Sequence, residues 1–207
     1  VVARATARPD EIACEALCAA PLDDAAPTPP GPHDVSAIFY TSGTTSDPKG
    51  VMHTPSTLGS FVRTHFTMTG RDRDLVGILW FPLAHIGGIC AFGMGPVVNG
   101  TRAVFLEQFD PEAALDLIER EQVTNAGGPT PIVQALLAAK GFAPERVRSV
   151  RQSGLGATDV PPELIRELRA KLGAFISRSY GMTECPMATG GTPQDPEEKL
   201  VTTDGRA

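Results

Sequence analysis

Tyr40-Thr41-Ser42-Gly43-Thr44-Thr45-Ser46-Asp47-Pro48-Lys49-Gly50 is a polar, small-residue loop set between two apolar segments. The hydroxyls of Thr41, Ser42, Thr44 and Thr45 are neutral donors, Gly43 and Gly50 let the backbone turn its N–H groups inward, and Lys49 adds a compact ammonium. A loop of that composition is suited to holding a polyphosphate. It is not a P-loop, because Gly50 follows the lysine, so a kinase or GTPase of that kind is disfavoured. The plain alternative is a solvated Ser/Thr/Gly linker. The flanks oppose it: Val35-Ser36-Ala37-Ile38-Phe39-Tyr40 leads in like a buried strand, and Gly50-Val51-Met52-His53 leads out.

Beyond the loop, strands and capped helices alternate. Thr54-Pro55 is a helix start, and Leu58, Phe61, Val62, His65 and Phe66 then fall on one face. His65, set among apolar residues, reads as a hydrogen-bonded core or boundary histidine and is left out of the site. Residues 75–81 are a continuous apolar run, as in a strand buried on both faces. Ligand-binding residues lie just past the carboxyl end of such strands, and here that position holds Pro82-Leu83-Ala84-His85-Ile86-Gly87-Gly88. Residues 101–106 read as a strand, and Asp110-Pro111-Glu112 opens a helix that buries Ala114, Leu117 and Ile118. Residues 123–126 read as a strand leading through Gly127-Gly128-Pro129 to a helix capped by Thr130, with Ile132, Val133, Leu136 and Leu137 inward and Gly141 as its stop. A strand is predicted over 148–152, followed by the small-residue loop Ser153-Gly154-Leu155-Gly156-Ala157 and a helix from Pro161-Pro162-Glu163. The last strand, 174–179, runs into Tyr180-Gly181-Met182-Thr183-Glu184-Cys185-Pro186. This alternation predicts an α/β fold. Upstream, residues 1–6 read as a short strand, 9–20 as an alanine-rich helix, and Pro21, Pro27, Pro29, Pro30 and Pro32 as an extended connection.

The 207 residues are 42% hydrophobic and 20% charged, ordinary values for a globular protein. A formal charge of −6 argues against a general nucleic-acid binder. Apolar runs fall far short of the roughly 20 residues a membrane-spanning helix needs. Cys14, Cys18, Cys90 and Cys185 are scattered, and without a secretory leader a reducing cytoplasm is expected. Cys14 and Cys18 could share a helix face, but two thiols without further ligands are poor evidence for zinc, and all the cysteines read as structural or incidental. A first residue that is valine, and a last stretch without a terminating element, suggest a piece of a longer protein.

Tyr-Thr-Ser-Gly-Thr-Thr-x-x-Pro-Lys-Gly at 40–50 resembles the phosphate-loop signature of the adenylate-forming superfamily, departing from it at Ser46, where glycine is usual. Tyr180-Gly181-Met182-Thr183-Glu184 resembles the superfamily's second signature. Between them, in family order, His85 and its glycines resemble the motif that lines and gates the acyl pocket, and 153–157 resembles the loop that packs against adenine as well as reading as a strand-to-helix turn. The resemblance implies a layered sheet-and-helix core belonging to the large N-terminal domain. On that reading residues 1–34 are a lead-in segment with a proline-rich connection, residues 35–207 are the central part of the AMP-binding domain, and the C-terminal domain is absent. It implies ATP-dependent activation of a carboxylic acid to an acyl adenylate, followed by thioester formation with CoA.

The same resemblance assigns roles. Lys49, Thr183 and Glu184 are implied as catalytic. Thr41, Ser42, Gly43, Thr44, Thr45, Lys49, Gly156, Ala157, Tyr180, Gly181, Met182 and Thr183 would hold ATP, and Glu184 with Thr41 would hold Mg2+. His85, Gly127, Gly128, Ser153 and Gly154 would form the acid pocket, for a medium-chain, alicyclic or aromatic acid. Arg178 stands where peptide-synthetase adenylation domains often carry asparagine, which points to the acyl-CoA synthetase branch. The rival readings are an adenylation domain or acyl-AMP ligase that does not use CoA, and a non-catalytic nucleotide- or acyl-binding protein. The intact Lys49, Thr183 and Glu184 count against the second. Partners are then the acid, ATP and CoA, without nucleic acid or a membrane span, and a homodimer is allowed. The superfamily's hinge and C-terminal lysine are not visible, so the chain alone is expected to be inactive.

Overall fold

The computed structural model describes residues 16, 19, 28–41, 47–68 and 74–207. The chain divides into two units, Val1–Pro30 and Gly31–Ala207. In the first, Ala16 and Ala19 are helical; the strand expected over 1–6, most of the helix expected over 9–20, and Cys14 and Cys18 lie outside the described residues.

In the second unit, the segments flanking the polar loop pair as an antiparallel hairpin, β1 (Ala37–Thr41) with β2 (Lys49–His53), which sets Thr41 opposite Lys49. The sequence predicts a buried lead-in strand, and here the structure differs: Ile38, Tyr40 and Met52 are 53%, 73% and 66% exposed. A two-stranded ribbon covered on one side buries alternate residues only, so Ala37 and Phe39 pack inward while their neighbours face water. Helix α1 (Pro55–Met68) follows. Thr54 and Thr57 cap it reciprocally, each backbone N–H donating to the other's hydroxyl oxygen at 3.0 and 3.2 Å. Its Leu58, Phe61 and Val62 join Ile86 and Cys90 in a small core of their own.

The main sheet is parallel for most of its width. β3 (Val76–Leu79) pairs with β4 (Arg102–Phe105), and β5 (Gln152–Leu155) with β6 (Phe175–Tyr180). The segment 123–128 joins the two pairs through bridges from Asn125 to Gly77 and Gln152 and from Gly128 to Leu155. A short antiparallel strand, β7 (Thr189–Gly190), extends the sheet beyond β6. After β3 come α2 (Ile86–Gly88), a π-helical turn (Ile89–Met94) and α3 (Gly95–Asn99). The remaining helices are α4 (Pro111–Glu121), α5 (Thr130–Leu137), α6 (Pro162–Leu172) and α7 (Glu197–Thr202). The main core packs Leu115 and Ile118 of α4, Val133 and Leu136 of α5, and Ile165 and Leu168 of α6 with Ile78, Leu155 and Ile176 of the sheet. Each such side chain contributes about 1.5–3 kcal/mol on burial. Residues 77–80 of the apolar run at 75–81 are buried as its composition predicts, with its ends half-buried, and Asp110 caps α4 by accepting from the Ala113 N–H at 2.8 Å.

Three boundaries differ from the sequence reading. Thr130 is the first residue of α5 and not its cap; its hydroxyl donates to the Asp159 carbonyl at 2.9 Å. α5 ends at Leu137, before Gly141, whose N–H is taken by the Glu112 carboxylate at 3.0 Å. The strand expected over 148–152 is instead β5 at Gln152–Leu155, preceded by a 3-10 turn at Pro144–Val147, so the front of the supposed small-residue loop is strand. Residues 153–154 can be strand because they lie directly against 123–128: Gly128 N–H donates to Gly154 O at 2.8 Å, and the Ser153 hydroxyl donates to Ala126 O at 2.9 Å. Without bulky side chains such a strand shows no alternation in sequence.

Candidate active site

Two polar structures are held together by one buried side chain. The first is the β1–β2 hairpin, which fixes Thr41 and Lys49 at the two ends of the polar loop; Ser42, Gly43, Thr44 and Thr45 lie outside the described residues. The second is the turn after β6, where Met182 and Cys185 exchange backbone hydrogen bonds at 3.0 and 3.1 Å. Gly181 begins that turn, and a Cβ there would lie 2.2 Å from the Pro186 carbonyl oxygen, so only glycine fits. His53, at the end of β2 and 2% exposed, spans the two. Its Nε2–H donates to the Thr183 carbonyl at 2.8 Å, its Nδ1 lies 3.2 Å from Thr57 Oγ1, and its ring meets Phe39 edge-on. A carbonyl can only accept, so Nε2 carries a proton. The hairpin bearing Lys49 is thereby tied to the turn bearing Thr183 and Glu184. Tyr180, Gly181, Met182 and Glu184 are exposed there, and Thr183 is half-buried.

Beside these lies a cavity of about 350 Å3 in which the expected pocket residues His85, Gly127, Gly128, Ser153 and Gly154 meet Gly156 and Ala157. Thr41, Lys49 and residues 180–184 do not line it. His85 stands past the carboxyl end of β3, where its Nδ1 accepts from Gly87 N–H at 3.1 Å and starts α2, and its exposed ring faces Phe81 edge-on. Gly156 packs so closely on β6 that a Cβ would lie 2.9 Å from Ser179 O. Ala157 adopts φ 65°, a left-handed conformation that costs a non-glycine residue about 1 kcal/mol. Arg178 lines the cavity too, but its guanidinium is committed to Asp204 Oδ1 at 2.9 Å and to Val201 O at 3.3 Å.

The sequence reading leaves out part of the cavity wall. Phe61, His65 and Met68 of α1 line it, as do Phe81 and Phe92. His65 does lie on the apolar face of α1, yet that face borders the cavity as well as the small core. It stacks on Phe61 at 5.9 Å and 26°, and burial lowers its pKa from 6.5 to about 4. The unfolded chain takes up this proton below 6.5 while the folded one resists until about 4, so stability from this group is complete above 6.5 and declines as the pH falls between those values. His65→Phe should remove that slope. Because the ring is only partly buried by surface, the wild type should lose about 1–2 kcal/mol more than the variant between neutral pH and about pH 5 in urea unfolding; equal losses would show that His65 titrates normally.

The AMP-binding enzyme family matches residues 2–207 of the chain. Among curated proteins, a medium-chain fatty-acid–CoA ligase of Escherichia coli K12 is 30% identical over 84% of this chain and 31% of its own length. An indoleacetate–CoA ligase of Aromatoleum aromaticum is 32% identical over 85% of this chain and 35% of its own. Among solved structures, O-succinylbenzoate coenzyme A synthetase of Bacillus subtilis in complex with ATP and magnesium superposes with a TM-score of 0.80, at 28% identity, over 94% of this chain and 40% of that one. The chain spans about a third of the length of the curated relatives it matches. With the α/β architecture, and with both signature stretches present in the sequence, the match across residues 2–207 shows that the chain belongs to the AMP-binding enzyme family.

Proposed function

We propose that the protein carrying this chain is an acid–thiol ligase: it activates a carboxylic acid with ATP and passes the acyl group to CoA. The observation that carries this reading is the His53 bridge, which joins the Lys49 hairpin to the Thr183–Glu184 turn beside an apolar cavity. In the first half-reaction a carboxylate oxygen attacks the α-phosphorus, a C–O–P linkage forms, and pyrophosphate leaves with the electron pair of the broken P–O bond. In the second, the CoA sulfur attacks the acyl carbon, AMP leaves, and the thiol proton passes to solvent. Two anions must meet in the first half, so the chain's part is to neutralise and align them. Lys49 faces the β- or γ-phosphate, Thr41 to Thr45 donate to the phosphates, Thr183 donates to the α-phosphate, and Tyr180 with Gly156 and Ala157 flanks the adenine.

Among the described residues no group of three or more His, Cys, Asp or Glu side chains gathers as a metal cage. The exposed Glu184 carboxylate suits a hard cation, which Glu184 and Thr41 would hold. When bound, Mg2+ would neutralise phosphate charge. Residues 1–34 serve as the lead-in and 35–207 as the central part of the AMP-binding domain. No helix of the described residues is long and apolar enough to cross a membrane. The free thiols Cys90 and Cys185 suit the cytoplasm, and the exposed Val97 and Val98 of α3 are apolar surface that a homodimer would cover.

The test is acid-dependent release of AMP and pyrophosphate by the full-length protein, with and without CoA. AMP and thioester appearing together in equal amounts support the ligase. Adenylate formed without thioester supports a CoA-independent enzyme, and absence of pyrophosphate exchange with every acid would refute the enzymatic reading.

A further inference from the structure

We infer that Gly154 sets the depth of the acid pocket, and that the pocket takes a monocarboxylic acid with an uncharged, apolar tail of about the size of an aromatic ring. This inference rests on the acid-activation reading above.

Gly127, Gly128 and Gly154 all line the cavity, but they lack side chains for different reasons. At Gly127 a Cβ would lie 2.3 Å from Gly154 O and 2.7 Å from Gly154 N, so the approach of two backbones demands glycine. At Gly128 φ is +145° and a Cβ would lie 3.0 Å from the Trp80 indole nitrogen. Both are explained by the protein's own packing. Gly154 is not: it sits in β5 outside the left-handed region, and a Cβ built there meets no atom within 4 Å. Its neighbours Ser153 and Leu155 are 1% and 0% exposed, while Gly154 opens onto the cavity. The chain gains nothing from glycine at this position, and the strand would be stiffer with a side chain. What the missing side chain does provide is ligand volume.

The walls indicate what fills that volume. Phe61, Phe81 and Phe92 contribute rings, with Phe81 and Phe92 edge to face at 6.0 Å, and His65 adds a ring that burial keeps neutral. Among the described residues the lining includes no Lys, Asp or Glu. Its cation, Arg178, is engaged by Asp204 and its side chain is 14% exposed. A tail carrying a second carboxylate would lose hydration there without gaining a counter-charge, whereas an apolar tail gains about 25 cal/mol per Å2 it buries.

The experiment compares 3-phenylpropanoate, adipate and propionate on the full-length protein, by kcat/KM for AMP formation and by calorimetric binding. 3-Phenylpropanoate should exceed adipate by about 100-fold or more. Gly154→Val should lower the ratio of 3-phenylpropanoate to propionate by about 10-fold or more, since filling a pocket by a few methyl groups changes discrimination on that scale. Gly154→Ala, the gentler variant should valine prevent folding, should lower it about 3-fold. Adipate used as well as 3-phenylpropanoate, or a ratio unmoved by both variants, would overturn the inference. If no acid yields AMP, the ligase reading fails on its own; calorimetric binding of 3-phenylpropanoate that weakens in Gly154→Val would still support the pocket assignment, and binding absent or unaltered would remove it.

Discussion

Glu184→Gln in the full-length protein should reduce Mg2+-dependent pyrophosphate exchange by about 100- to 1,000-fold and leave the thermal midpoint within about 2 °C. Glutamine has the shape of glutamate and keeps one acceptor oxygen, so what is removed is charge. The scaffold has little reason to respond. Glu184 is exposed, and among the described residues it makes no hydrogen bond or ion pair. The turn around it is closed by Met182 and Cys185 through their backbones and anchored at Thr183 by His53. A hard divalent cation distinguishes carboxylate from amide strongly, whereas a merely structural carboxylate would show its loss in stability first. Unchanged exchange over a titration of Mg2+ would remove Glu184 from the metal site.

Gly127→Ala should be the most damaging single-methyl change in the sheet. The added Cβ would lie 2.3 Å from Gly154 O, and this neighbour cannot move aside, because the same oxygen accepts from Gly128 N–H at 2.8 Å. One residue earlier, Ala126 N–H donates to Gln152 O at 3.2 Å. Separating the strands to admit a methyl would break these bonds and disturb the Gly127 carbonyl, which accepts from the Trp80 indole at 2.9 Å. A loss of about 3 kcal/mol or more follows, a fall in melting temperature of roughly 6–12 °C for a chain of this size. Trp80 is the sole tryptophan and is 2% exposed, so its emission reports the event directly. Gly154→Ala, on the facing strand and with no atom in the way, is the internal control: it should lose less than about 1 kcal/mol. Equal losses at the two glycines would refute the packing argument.

Helix starts are local events, and they were readable as such. The reciprocal Thr54–Thr57 cap and the Asp110 cap each join residues three apart, so sequence spacing contains the whole interaction. Buried strands with bulky side chains, such as β3, announce themselves in composition. The hairpin's exposure is not legible in its residues, because they do not reveal that no second layer among the described residues covers them. β5 was displaced because Ser153 and Gly154 carry too little side chain to display a period.

By itself the sequence determined the family and the α/β alternation, since each of these is written in contiguous residues, and it singled out two polar stretches as the proposed phosphate-binding elements. Only the tertiary structure decided that His53 joins Thr183 across 130 residues of chain, that His65 walls the cavity, and that Gly127 and Gly154, alike in sequence, differ in what stands opposite them. The physical reason is the same in all three cases: whether a side chain, or its absence, serves packing or a ligand depends on what stands opposite it, and the opposing atoms come from distant parts of the chain.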